Sequence, residues 1–235
     1  MSNNEKIKIE SPKPIVKVNN WTFFVNPKCG IRTVHTICRE LNKLPKEIFN
    51  EKKNILIYRD PYNKLISGYL NKYVQHNKYF KFLEKYNIKK DDVNTFSKFI
   101  NIIDKRGITV LNDQHFRLQV SILNNNVKID NGFLTEEIYK LITFLNNNIE
   151  KFDKSLLLKN DNFEFFKVTN HKSKHDVKFK YNLEKKPHDL NREELLNLIK
   201  KNKIPDYKLF YNEKLKKIVH RHYLKDFQFI KNLNL

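Results

Sequence analysis

The sequence predicts an α/β domain built on a central, mainly parallel β-sheet flanked by α-helices. Two nearly continuous apolar runs, residues 21–26 (WTFFVN) and 54–58 (NILIY), each pass through a Pro-containing breaker into a stretch of helical spacing. Runs of that kind suit strands buried on both faces, and a strand, loop, helix order repeated twice in 86 residues calls for parallel pairing with helical crossovers. The composition agrees. Over 235 residues, 40% are hydrophobic and 13% aromatic, against 4 Gly and 7 Pro, which supplies one core and excludes low-complexity and collagen-like chains.

Residues 1–20 are polar and carry Pro12 and Pro14, so a tail or edge segment is expected there, with the domain proper over residues 21–235. The first run ends at Pro27, and after Gly30 the apolar residues Val34, Ile37, Cys38 and Leu41 recur at helical spacing until Pro45. The second run stops at Asp60-Pro61. A long helix is expected over residues 62–86, with Leu65, Ile66, Tyr69, Leu70, Tyr73 and Val74 on one face, and further helices over 93–103 and 114–123. Residues 135–158 read as a helix by periodicity, although 138–143 would also serve as a short strand. Residues 163–168 (FEFFKV) read as another core strand, Asn191 with Glu194 as a capping box opening a helix through Lys200, and 211–223 as the last long helix. There is no internal repeat and no linker, which favours a single domain.

Charge is the largest bias. Lys and Arg number 46 against 26 Asp and Glu, a formal net charge of +20, and all but seven of the cations are Lys. Abundant Lys accompanied by Asn and Ile is also what an AT-rich genome produces, so charge alone points only to anions in general: nucleotides, sulfated or carboxylated glycans, nucleic acid or anionic surfaces. The two cysteines, Cys29 and Cys38, make neither a disulfide framework nor a paired metal-ligand spacing, and no metal is expected. The N-terminus lacks an apolar leader and no window approaches 18 uncharged apolar residues, so a soluble, cytoplasmic protein without a membrane span is expected.

Two segments carry chemistry. In FFVNPKCGIRTV (residues 23–34) a strand runs into Pro27-Lys28-Cys29-Gly30 and then a helix start. Such a loop presents backbone N–H groups at the positive end of a helix dipole, with Lys28 at the mouth and a hydroxyl on Thr33, and that arrangement cradles phosphate. An ordinary tight turn with an exposed Lys has the same residues. The G-x-x-x-x-G-K-[ST] pattern of nucleoside triphosphatases is absent, which counts against ATP hydrolysis and against a nucleotide kinase. In the second segment Arg59 leaves a buried strand and Ser67 follows eight residues later on the next helix. At the carboxyl edge of a parallel sheet Arg59 is placed to grip a phosphate and Ser67 to add a hydrogen bond, while a helix-capping Arg-Asp surface pair is the alternative.

Taken together, the two segments resemble the sulfotransferases that use 3′-phosphoadenosine 5′-phosphosulfate (PAPS), in particular the branch acting on carbohydrates. The family's loop reads Pro-Lys-x-Gly followed by two hydroxyl residues, and its second motif reads Arg-Asp-Pro-x-x-Arg-x-x-Ser-x-Tyr. Here that motif is Arg59-Asp60-Pro61-Tyr62-Asn63-Lys64-Leu65-Ile66-Ser67-Gly68-Tyr69, with Lys64 where Arg is commoner. Two fainter likenesses follow in order: residues 113–119 (DQHFRLQ) resemble Asp-x-His-Trp-x-Pro-Gln, and residues 222–227 (HYLKDF) resemble a terminal Tyr-x-x-Asp-Phe. The resemblance covers roughly residues 21–230.

It implies a single P-loop-kinase-like domain. It also implies that Lys28, Cys29, Gly30, Ile31, Arg32 and Thr33 hold the 5′-phosphosulfate, that Arg59 and Ser67 hold the 3′-phosphate, and that Lys28 stabilises the bridging oxygen as the sulfuryl group departs. The implied partner is a hydroxyl-bearing acceptor, a glycan, and an anionic glycan would be in keeping with the +20 balance. Ile31 and Arg32 stand where the family has hydroxyls, which points to weakened donor binding or an inactive relative. The short interval from Lys28 to Arg59 leaves little room for the family's usual base. His115 is the first candidate for that base, His35 the second, with Glu40 and Glu47 behind them. Asn170, His171, Lys172 and Ser173 resemble a polar loop near the donor. The alternative of a different class is a basic nucleic-acid-binding protein with a degenerate nucleotide pocket, its aromatics at Tyr69, Tyr73, Tyr79, Phe80 and Phe82 serving as stacking platforms.

Overall fold

The computed structural model describes residues 14–76, 83–111, 113–123, 127–149 and 185–233. The expected strand at 163–168 and the polar loop at 170–173 lie outside them, as do residues 1–13. β1 (Ile15–Val18) turns at Asn19, which takes the left-handed φ of 52° that a two-residue hairpin demands, and pairs antiparallel with β2 (Trp21–Val25). The edge segment expected within residues 1–20 is therefore an edge strand. β3 (Lys53–Tyr58) pairs parallel with β2, and β4 (Asn131–Leu134) parallel with β3, giving a mixed four-stranded sheet in the order β1-β2-β3-β4. The α/β class and the mainly parallel pairing are thus observed. β4 was not expected: four half-buried residues including Asn131 and Gly132 carry no strand signal, and the pairing partner 76 residues earlier supplies the order.

Strand alternation divides the interior. Trp21, Phe23 and Val25 of β2 and Ile55 and Ile57 of β3 face one layer, formed by α1 (Ile31–Leu41) and α4 (Ile138–Asn148), with Val34, Ile37, Leu41, Leu141 and Leu145 fully buried against them. A second core gathers Tyr69, Tyr73, Phe99 and Phe116 with residues of α3 (Phe96–Arg106), α5 (Arg192–Lys200) and α6 (Glu213–His222). α7 (Leu224–Asn232) follows α6 directly. Among the described residues, no helix is long and apolar enough to cross a membrane.

The helix boundaries follow their caps. α2 (Pro61–Tyr69) opens with Asp60, whose carboxylate accepts from the Asn63 N–H at 3.0 Å, and with Pro61 at its first position. It passes into a π-helical turn, Leu70–Gln75, and stops at the extended His76, so the single helix expected over 62–86 is not formed. α3 starts three residues later than expected because Thr95 caps it, accepting from the Lys98 N–H at 3.2 Å. The capping box at Asn191 and Glu194 is present as read. Residues 138–148 resolve as helix.

The helix expected over 114–123 is replaced by a turn and a short 3-10 segment, Gln119–Ile122. Its donors are taken elsewhere. The Asp113 carboxylate accepts from the His115 N–H at 2.7 Å, and the Asp226 carboxylate accepts from the N–H groups of Gln119 and Val120 at 2.9 and 3.1 Å. Side-chain acceptors outcompete the i−4 carbonyls that a helix would require.

Candidate functional site

β2, β3 and β4 end side by side, and the residues after each strand converge at the carboxyl edge of the sheet. After β2 comes the loop 26–30. Lys28 and Gly30 both adopt left-handed backbone, with φ of 70° and 75°, and Gly30 forms the N-cap of α1 without a side-chain bond. Gly30 also lies against the turn after β4, where an added Cβ would stand 3.3 Å from the Thr135 methyl group. The first α-helical bond runs from the Val34 N–H to the Gly30 carbonyl at 3.0 Å, and the first turn, Ile31 to Thr33, contains no acidic residue. Those first-turn N–H groups have no intrahelical acceptor by the geometry of a helix N-terminus, and they sit beside Lys28.

Gln119 ties the site together. Its side-chain oxygen accepts from the Arg59 N–H at 2.8 Å and from the Cys29 thiol at 3.1 Å, and its side-chain nitrogen donates to the Arg59 carbonyl at 2.8 Å. Its carbonyl accepts from the Asn26 side chain at 2.8 Å, and its N–H donates to Asp226. Tyr223, one turn before Asp226, donates its hydroxyl to the Phe116 carbonyl at 2.7 Å. The buried Lys64 ammonium donates to the Arg117 carbonyl at 2.5 Å. All four segments singled out in the sequence therefore meet in one hydrogen-bonded unit, although they are spread from residue 26 to residue 226.

Arg59 is not presented as a bare fork. Its Nε donates to Glu136 at 2.8 Å and one Nη donates to the Lys28 carbonyl at 3.2 Å, while Tyr207 lies under the guanidinium at 5.7 Å. The capping Asp-Arg pair weighed as an alternative is split: Asp60 does cap α2, but Arg59 pairs with Glu136. The second Glu136 oxygen is buried with no hydrogen-bond partner among the described residues. Ser67 lies one turn beyond Asn63, whose amide reaches Glu136 at 3.4 Å, so Ser67 follows on the helix side that meets this pair.

Electrostatics distinguishes the candidates. Burial, assisted by Lys72, Arg59 and Arg32 and opposed by Asp113, lowers Lys28 to about 8. Burial pushes the Cys29 thiol up to about 12, so Cys29 packs and donates beneath the loop rather than acting as a nucleophile. His115 hydrogen-bonds Asp113 through Nδ1. Burial holds the imidazole below its ordinary value, Asp113 opposes, and Lys72 and Lys28 add to the lowering. The His115 bonds and the cations hold Asp113 below the usual carboxylate value against the upward pull of burial. The arrangement is a neutral imidazole fixed at Nδ1 by a carboxylate, leaving Nε2 to accept a proton, within the field of Lys28.

The other candidates fall elsewhere. His35 is half-buried on α1 beyond Arg32, and Thr33 is buried beneath the first turn. Glu40 is buried with its carboxylate held by Lys43 at 2.6 Å, and Glu47 is exposed. Tyr69 and Tyr73 are core residues, which removes them as stacking platforms, while Tyr79, Phe80 and Phe82 lie outside the described residues. Gln119, Glu136 and Lys72 were not read from the sequence. The Gln ending the 113–119 likeness was the one available signal for the first, and nothing local marks the other two. No protein-family model, curated protein or solved structure matches this chain.

Proposed function

We propose that this protein is a sulfotransferase with a P-loop-kinase-like domain, moving the sulfuryl group of PAPS to an acceptor hydroxyl on a carbohydrate. The observation that carries the reading is the convergence on Gln119: the Lys28 loop, the Arg59 strand end, the His115 turn and Asp226 are held as one unit at the ends of the parallel strands. Segments with unrelated local roles have no reason to share one buried glutamine.

The donor's 5′ end suits the loop, where Lys28, Arg32 and the first-turn N–H groups of α1 are gathered, with no acidic residue in that turn and Asp113 the carboxylate that acts on Lys28. The 3′-phosphate suits Arg59 less well, because Glu136 already neutralises much of its charge. PAPS supplies a sulfur electrophile whose bond to the bridging phosphate oxygen breaks as the acceptor oxygen attacks in line. His115 Nε2 takes the hydroxyl proton, with Asp113 holding the ring and stabilising the imidazolium that forms. Lys28, protonated below about 8, stabilises the charge left on the bridging oxygen.

The test is incubation with PAPS and a panel of neutral and anionic oligosaccharides, following release of adenosine 3′,5′-bisphosphate (PAP) and the mass of the sulfated product. Acceptor-dependent PAP release, reduced about 100-fold in Lys28→Ala, is expected. PAP release that no acceptor stimulates would refute transfer, and salt-sensitive oligonucleotide binding without a 3′-phosphate preference would favour the nucleic-acid reading instead.

A further inference from the structure

Lys64, Gly68 and Lys72 recur every four residues from the start of α2 into the π turn, and the first two touch the 113–119 segment in reverse order. Lys64 reaches the Arg117 carbonyl, and an added Cβ on Gly68 would stand 2.7 Å from the Phe116 ring. Tyr73, beside Lys72, stacks on the same Phe116 ring at 5.8 Å. The two stretches run antiparallel, so the next residue of the stripe, Lys72, comes to Asp113 and His115. The wider π turn sets Lys72 there, at only 9% exposure, and turns of that type mark functional positions out of proportion to their number.

The position of Lys72 within the cluster is specific. Its charge acts on Lys28, on Asp113 and on His115, whereas the largest charge acting on Arg59 is that of Glu136. A cation that acts on both the residue at the leaving oxygen and the residue at the attacking oxygen adds positive charge around the atom in between, against Asp113, which also acts on both. The charge balance agrees. A donor with two phosphate groups and a sulfate brings about four negative charges at neutral pH, against Lys28, Arg32, Arg59 and Lys72 opposed by Asp113 and Glu136. Those six groups sum to about +2, so the donor's charge draws on all four of their cations.

Resting on the sulfuryl-transfer reading, we infer that Lys72 is a further catalytic residue, its ammonium binding the non-bridging oxygens of the sulfuryl group while the bond to the bridging oxygen breaks and the bond to the acceptor oxygen forms. PAP lacks those oxygens, and that separates Lys72 from Lys28 and Arg59.

The experiment compares wild type, Lys72→Met and Lys72→Arg by calorimetry with PAP and by initial rates with PAPS, on one neutral and one anionic acceptor. Met keeps the apolar stem of a buried lysine. In Lys72→Met the Kd for PAP should rise by no more than about tenfold, through the lost field at the 5′ phosphate, while kcat falls about 100-fold for both acceptors, and Lys72→Arg should recover part of the loss. The kcat/KM profile adds a signature that a packing role would not produce. Lys72 lowers both His115 and Lys28, against Asp113 at each and alongside Lys28 at the first and Arg59 and Arg32 at the second. Its removal should therefore move both limbs of the residual activity to higher pH. An unchanged kcat, or a rise in KM confined to the anionic acceptor, would overturn the role of Lys72 alone. Absence of PAP binding in wild type would instead overturn the sulfuryl-transfer reading and this inference with it.

Discussion

Gln119 and Arg59 exchange two hydrogen bonds: the Arg59 N–H donates to the Gln119 side-chain oxygen, and the Gln119 side-chain nitrogen donates to the Arg59 carbonyl, each at 2.8 Å. The glutamine thus pairs with the residue after β3 much as another strand would, while its own backbone is held by Asp226. The C-terminal helices are thereby coupled to the sheet edge from which Lys28 and Arg59 project.

Replacing Gln119 with Leu keeps the volume and leaves the Arg59 N–H, the Arg59 carbonyl and the Cys29 thiol without their buried partner. Each orphaned group costs about 1–3 kcal/mol, and relaxation recovers part of the sum. A loss of about 3 kcal/mol is expected, read as a lower urea midpoint at unchanged m-value. A midpoint equal to wild type would show that Gln119 does not hold the site together.

Gly68→Ala sets two opposing effects against each other. Alanine favours a helix interior over glycine by about 1 kcal/mol, but the new methyl would stand 2.7 Å from Phe116, a fully buried ring that also packs on Tyr73 and Phe99. Overpacking at such a site costs about 1–3 kcal/mol, so a net destabilisation is expected in thermal unfolding. A stabilised variant would mean that the contact between α2 and residue 116 is loose.

Glu136→Gln retains a hydrogen-bond acceptor for Arg59 and removes a negative charge from the place assigned to the 3′-phosphate. Two like charges about 4 Å apart repel by up to about 4 kcal/mol near a protein surface, and side-chain rearrangement reduces this. PAP affinity should rise about tenfold, measured by calorimetry, with AMP affinity little changed. Weaker PAP binding would place the phosphate away from Arg59.

If the proposed transfer holds, the pH dependence of kcat/KM should be bell-shaped, since it reports groups of the unliganded protein, and the requirements on His115 and Lys28 are those of that proposal. His115 must be neutral, so activity appears as pH rises through a value below the ordinary imidazole range, because burial with Lys72 and Lys28 outweighs Asp113. Lys28 must be protonated, so activity is lost as pH rises through about 8. In Lys28→Arg the alkaline limb should vanish, because a guanidinium stays charged throughout the range. A limb that persists in that variant would belong to another group.

Much of this was legible in the chain. Strands buried on both faces and helices with one apolar stripe leave local periodic marks, and β2, β3 and α1 lie where residues 21–41 and 54–58 imply, β3 starting one residue earlier at Lys53. Caps are equally local, as Asn191 with Glu194 illustrates. What the chain concealed was decided across distance. The order at residues 113–120 comes from Asp226, more than a hundred residues away, and β4 exists because β3 is there to pair with it. Glu136 meets Arg59 only because the ends of β3 and β4 are adjacent. Nothing around Lys72 sets it apart from the many other lysines; only the contacts of Lys64, Gly68 and Tyr73 reveal which way that face of the helix turns.

Recognition of a nucleotide by its second phosphate, as proposed for this site, is put to a direct test by calorimetric titration of wild type and Arg59→Ala with PAP, AMP and ATP. PAP should bind wild type at least tenfold more tightly than AMP or ATP, about 1.4 kcal/mol or more, and Arg59→Ala should erase that preference while AMP binding persists. Equal affinity for PAP and AMP in wild type would contradict the account, leaving a basic loop at a helix N-terminus with no donor specificity.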